Sequence, residues 1–248
     1  LIGFYESTSK TQRFSRGPVA RARSEYFADL DCVVAPGTGP AQALLHAGVT
    51  QDRIRQGFNP VDVDKFRRTT TTFRAPSAAH NFIYVGQLIE RKNVINLVQA
   101  FGSATFRDDN LTIVGKGHLE QALLAEVARL GVADRVRLIG SVPNDRLPSV
   151  MWEHDTLVLP SIEEVWGLVV NEALAAGLHA VVSTRAGILE DISHMGGVIP
   201  TDVTVEQIAK SMAKSKTQWR GPVPEPEILR HTPEALADLI VDAVRSTA

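Results

Sequence analysis

From residue 81 onward, short apolar runs alternate with longer amphipathic stretches, and that alternation constrains the fold more than any other feature. The apolar runs are "NFIYVG" (81–86), "LTIVG" (111–115), "RVRLIG" (135–140), "DTLVLP" (155–160), "HAVVS" (179–183) and "GGVIP" (196–200). Each has the length and branched apolar content of a strand. Between them lie stretches with helical spacing. Val94, Leu97, Val98 and Phe101 mark one over 93–104, and a second over 118–131 stops at Gly131, a C-cap residue. Further helices are expected near 144–153, within 161–177, over 204–215 and over 233–246. Parallel neighbours need a crossover, so strand–helix alternation predicts β-α units. Strands apolar on both sides belong to a sheet covered on both faces. The expected fold class is α/β, a Rossmann-like doubly wound parallel sheet.

Residues 1–66 carry fewer elements: a strand and turn at 30–37, a helix at 40–48 and a strand at 53–58. They read as the end of an upstream α/β domain present only in part. The stretch "RRTTTTFRAPSAAH" (67–80) has a linker's composition. The expected division is therefore 1–66, a linker over 67–80, and a second domain over 81–248. The chain starts at Leu1 rather than Met, and a piece of a longer protein is the expectation. The single cysteine, Cys32, sits in an apolar run and reads as a buried thiol.

Ligands of open parallel sheets bind outside the carboxyl ends of the strands, near helix N-termini. In "VGQLIERKN" (85–93), Gly86 lets the backbone turn close to a ligand, and Lys92 arrives just before a helix. An ammonium there suits a phosphate; a solvated surface pair of Arg91 and Lys92 is the plainer alternative. "IVGKGHLE" (113–120) offers only a bare G-x-G without the third glycine of a dinucleotide fingerprint, so a tight turn remains open. "TRAGILED" (184–191) and "PGTG" (36–39) are lesser candidates, the latter explained by helix capping. "PSIEEVWGLVVNEALAAG" (160–177) is more informative. Glu164 lies in a strand-end loop, Gly167 exposes amides suited to an anion, and Glu172 follows about a turn into the helix. Two hydroxyl acceptors flanking an anion site match a sugar–phosphate–nucleoside ligand. A helix-face Glu172 paired with a cation explains the spacing equally well.

This segment resembles the E-x7-E region of retaining GT-B glycosyltransferases of the family 4 type (glycosyl transferases group 1), which include sucrose synthases, bacterial mannosyltransferases and glycogen synthases. "FIYVGQLIERKNVINLVQAF", "LTIVGKGHLEQAL", "VRLIGSVPNDRLPSVM", "AGILEDI" and "GGVIP" are similar to successive parts of that family's donor domain. Residues 30–66 are similar to the end of its acceptor domain, with Asn59 and Val61-Asp62 matching an N-G-V-D pattern. The resemblance runs in order over roughly residues 25–246. It implies that Glu164 contacts the transferred sugar and Glu172 the ribose. The backbone of Gly167, Leu168 and Val169 would hold the diphosphate, Lys92 would neutralise the leaving phosphate, and Val142 would lie against the base. The family usually has arginine where Gln87 stands; Arg91 is the candidate substitute for that charge. Pro60 replaces the linker glycine.

These readings imply a glycosyltransferase with a nucleotide-diphosphate sugar of the UDP or GDP type as donor substrate, no cofactor and no metal. The acceptor is an unidentified hydroxyl. A net charge of −2 gives no reason to expect nucleic acid. A cytoplasmic location is expected, with peripheral membrane association conceivable only through the upstream domain. Two other classes stay in view: a non-catalytic nucleotide-sugar binding module, and an NAD-dependent oxidoreductase suggested by "GKG" alone.

Overall fold

A computed structural model describes residues 1–9, 11, 12, 14, 16–68 and 79–247. The central part of the expected linker, 69–78, lies outside the described residues. In chain order the elements are β1 (Ile2–Phe4), α1 (Pro18–Ala28), β2 (Cys32–Pro36), α2 (Thr38–His46), β3 (Ile54–Gly57) and α3 (Val63–Phe66). Then come β4 (Asn81–Val85), α4 (Val94–Phe101), β5 (Asn110–Val114), α5 (Glu120–Leu130), β6 (Val136–Gly140) and α6 (Leu147–Trp152). The last are β7 (Thr156–Leu159), α7 (Leu168–Ala175), β8 (His179–Ser183), α8 (Leu189–Ile192), β9 (Val198–Thr201), α9 (Val205–Gln218) and α10 (Pro233–Thr247). Each strand and helix expected from periodicity is present. β1, α1, α3 and α8 are additional.

The chain forms two compact units, Leu1–Val61 with His231–Ala248, and Asp62–Arg230. This differs from the expected division at both ends. Residues 62–66, placed at the close of the first segment, belong to the second unit, where they form the short helix α3 and Asp62 caps it by accepting from the Lys65 amide at 3.1 Å. The final helix, read as closing the second domain, belongs to the first. Its Ala243 is fully buried with Cys32 and Val34 of β2, and its Leu236 and Leu239 pack on that cluster. Burial along one helix face decides the assignment, and chain order does not predict it.

In the first unit β1, β2 and β3 form a parallel three-stranded sheet in that order. The "PGTG" turn leads into α2 through Gly37, with φ 118° and no side-chain cap. A glycine supplies that backbone conformation at no steric cost, so the turn differs from the expected side-chain cap.

The second unit is a six-stranded, wholly parallel sheet in the order β6-β5-β4-β7-β8-β9. β7 and β8 are buried at every position, as a sheet covered on both faces requires, while the edge strand β6 alternates buried or half-buried residues with exposed ones. Val94, Leu97, Val98 and Phe101 of α4 are fully buried, each at 0 % exposure, so the stripe legible in the sequence is the one the helix sinks into the core. α5 ends at Gly131 with φ 66°, the left-handed C-cap expected. The strand order reverses between β4 and β7. Connections from β4 run toward β6 and those from β7 toward β9, so this reversal is the topological switch point, at whose carboxyl edge open parallel sheets bind their ligands.

Candidate functional site at the switch point of the parallel sheet

Two loops meet at that reversal. After β4, Gly86 to Ile89 lead into a tight turn over Glu90–Lys92. After β7, Pro160 to Gly167 lead into α7. They are joined by backbone: Ile162 N–H donates to the Arg91 carbonyl at 2.8 Å, and Glu163 N–H reaches the same oxygen at 3.4 Å. Across this seam the Lys92 ammonium forms an ion pair with Glu164 Oε2. Their side chains are only 13 % and 11 % exposed, so the pair is shielded from solvent. Lys92 is therefore not half of a solvated surface pair; its neighbour Arg91 is the exposed one. Ser161, fully buried, donates its hydroxyl to the same Glu164 oxygen at 3.3 Å.

The segment after β8 backs this loop. Ala186 bridges Glu164, Gly187 N–H donates to the Glu164 carbonyl at 3.1 Å, and Ile188 N–H donates to that of Trp166 at 3.3 Å. The "TRAGILED" segment thus braces the Glu164 loop from behind.

α7 begins directly after Gly167, whose φ of 105° lies in the left-handed region. A side chain there would come within 2.9 Å of Leu159 Cδ2 and 3.4 Å of Glu164 Cγ, so only glycine lets the loop fold this tightly. The first amides of the helix, at Leu168 and Val169, have no intrahelical carbonyl to bond and carry the positive end of the helix dipole. Glu172 follows on the second turn. Burial pushes its carboxyl up to about 7, with the positive charge of Lys65 pulling the other way. Burial thus outweighs the nearby Lys65 cation in setting the protonation of this carboxyl.

The expected site residues divide into two groups. Gly86, Lys92, Glu164, Gly167, Leu168, Val169 and Glu172 fall on the loops after β4 and β7 and on the first turns of α7. Gln87 is exposed, and its contribution is its carbonyl, which accepts from the buried Tyr84 hydroxyl at 2.7 Å. Arg91 likewise contributes a carbonyl to the seam. Val142 lies apart, half-buried in the loop after β6, two strands from the reversal. The glycines of "GKG" have a structural cause. A Cβ on Gly115 would lie 1.8 Å from the Gly86 carbonyl oxygen and one on Gly117 2.2 Å from that of Leu88. They let the loops after β4 and β5 touch backbone to backbone.

Three neighbours were not legible as site residues. Ser161 and Asn93 read as ordinary loop polar residues. Tyr84 reads as a strand aromatic, yet burial, and then the Glu164 charge, push its phenol well above its usual range. The only available signal was Asn93's place between a lysine and a helix start. Among the described residues no group of three or more His, Cys, Asp or Glu stands in metal-holding geometry, and no helix is long and apolar enough to cross a membrane.

A doubly wound parallel sheet with a shielded cation–carboxylate pair at its switch point defines an α/β protein of the Rossmann-like class. The chain belongs to the glycosyl transferases group 1 family, whose model matches residues 72–223. It is 31 % identical over 174 residues to an uncharacterised glycosyltransferase of Methanocaldococcus jannaschii, covering 67 % of this chain and 45 % of that protein. It is 29 % identical over 213 residues to the 2-deoxystreptamine glucosyltransferase of Streptomyces kanamyceticus, covering 83 % and 53 %. The chain spans about half the length of these curated relatives. Its fold is that of GT-B glycosyltransferases. It superimposes on the crystal structure of Anabaena HepE in complex with UDP and glucose with a TM-score of 0.71 at 16 % identity, covering 99 % of this chain and 71 % of that one.

Proposed function

We propose that this chain supplies the donor-binding half of a glycosyltransferase that moves a sugar from a nucleotide diphosphate to an acceptor hydroxyl. The second unit holds the donor, and the upstream part of the parent protein holds the acceptor. The observation that carries the reading is the shielded Lys92–Glu164 pair at the switch point, with Glu164 in the loop that leads into the uncapped N-terminus of α7. Lys92 has three N–H donors and Glu164 several acceptor positions, so each keeps capacity for a ligand beyond their mutual bond. The diphosphate lies at the α7 N-terminus, where Lys92 and the helix dipole stabilise the charge that develops as the sugar–oxygen bond breaks. Glu164 accepts from hydroxyls of the sugar, and Glu172 accepts from the ribose.

The reaction is a transfer with retention at the anomeric carbon, of the family 4 type, in the cytoplasm. The donor base is uracil or guanine; the HepE complex with UDP and glucose supports the first. Gln87, in place of the family's usual arginine, removes one charge-assisted contact, worth about 1.5–3 kcal/mol to such a ligand. A shielded Lys92 compensates in part because its charge is less screened than one in open solvent.

Calorimetric titration with UDP, GDP, ADP and NAD, without added metal, tests the reading. Saturable binding of one nucleoside diphosphate is expected. Binding of NAD alone, or silence toward all four by folded protein, overturns it. Two substitutions then separate the carboxylates. Glu172→Gln weakens the free nucleotide, whereas Glu164→Gln spares it and weakens the intact sugar donor. Equal effects of both on the free nucleotide rule out that division of labour.

A further inference from the structure

We propose that Asn93 is the positioning residue of the Lys92–Glu164 pair, a side-chain clasp that sets the ammonium against the carboxylate before any ligand arrives. The backbone gives the first reason. Asn93 has φ 60°, in the left-handed region that residues other than glycine seldom enter and that asparagine tolerates best. Its N–H donates to the Glu90 carbonyl at 2.9 Å, closing the turn that carries Lys92, and its own carbonyl accepts from Leu97 N–H at 3.2 Å, opening α4. The chain must reverse curvature at this residue for Lys92 to face the β7 loop and α4 to enter the core.

The side chain gives the second reason. It is buried, at 7 % exposure, and its amide donates to two carbonyls on different strand ends: Pro160 after β7 at 3.1 Å and Val203 after β9 at 2.7 Å. A primary amide has two N–H donors, and both are used. Glycine would allow the backbone but offer no donor. Aspartate would keep the shape but turn an oxygen toward two carbonyl oxygens. Val203 keeps a second donor, the Asn96 amide at 3.2 Å, so the bond that matters most is the one to Pro160.

The consequence is local. Lys92 lies between two residues that each grip the β7 loop, Arg91 through Ile162 N–H and Asn93 through the Pro160 carbonyl. Pro160 in turn precedes Ser161, which holds Glu164. Both partners of the ion pair are thus aligned by one amide. For the ligand chemistry this inference rests on the glycosyltransferase reading; for the geometry of the pair it does not.

The test is amine labelling of the chain followed by peptide mass spectrometry, for wild type, Asn93→Gly and Asn93→Asp. Lys216, which pairs with the buried Asp109 at 2.7 Å in the same unit, is the internal control. The expected result is a severalfold rise in Lys92 labelling in both variants with Lys216 unchanged. Unchanged Lys92 labelling in both overturns the proposal. Deprotection of Lys216 to the same extent also overturns it, because the asparagine is then a general support of the unit. Titration with UDP and GDP separates the two claims. If wild type binds either, both variants should bind it roughly tenfold more weakly. If wild type binds neither UDP nor GDP, the functional reading fails while the labelling comparison still decides the role of Asn93.

Discussion

At the residue scale the most telling group is Glu172, a carboxyl whose burial holds it near pH 7. An unfolded glutamate releases its proton near pH 4.3. Between those values the folded chain keeps a proton that the unfolded chain gives up. The carboxyl's contribution to stability is therefore fully present below about pH 4.3 and is lost progressively as pH rises from there through about 7. Glutamine does not titrate. Relative to wild type, Glu172→Gln should gain ~1–3 kcal/mol in chemical denaturation between pH 5 and pH 8. A constant difference across that range would mean that Glu172 is charged throughout. Its identity was visible in the sequence as the second member of a spaced pair of carboxylates. Its protonation was not, because the burial responsible depends on the folded surroundings of α7.

At the element scale the loops after β4 and β5 behave as one piece. Leu88 N–H donates to the Lys116 carbonyl and Leu119 N–H to that of Leu88, at 3.0 and 3.1 Å. Gly115, at φ 138°, has the Gly86 carbonyl where a side chain would be. Gly115→Ala must push the β4 loop away, and the obstacle is backbone, which cannot swing aside as a side chain can. The expected loss is about 1–3 kcal/mol. It should come with faster hydrogen exchange across residues 86–92 as well as 115–119. An effect confined to 115–119 would show that the two loops are independent. The motif "GKG" could be quoted from the sequence and was open to two readings. Only the neighbouring strand's carbonyl, contributed from about thirty residues away in the chain, decides between them.

At the scale of the whole molecule the last helix belongs with the first residues. Ala243 closes over Cys32 and Val34, and Leu236 and Leu239 flank them. Removing residues 231–248 should therefore raise hydrogen exchange through β2 and β3 while leaving β4, β5, β7 and β8 protected. Loss of protection spread evenly over both units would contradict this. The second unit holds its own large core, with Phe82, Phe101, Phe106, Leu111 and Ile113 all fully buried.

What the sequence determined by itself is whatever depends on neighbours a few residues apart. Strand and helix periodicity, the Gly131 cap, the apolar stripe of α4 and the concentration of polar residues at strand ends follow from local chemistry, since side chains two, three or four positions apart share a face. Those signals suffice for a doubly wound sheet and for the loops of its carboxyl edge. The tertiary structure decided what depends on residues far apart in the chain. It paired Lys92 with Glu164, set Asn93 across three strand ends, shielded Glu172 and handed α10 to the first unit. Strand order controls the first two of these outcomes and helix packing the other two, and both come from the packing of whole elements, which no local window of sequence contains.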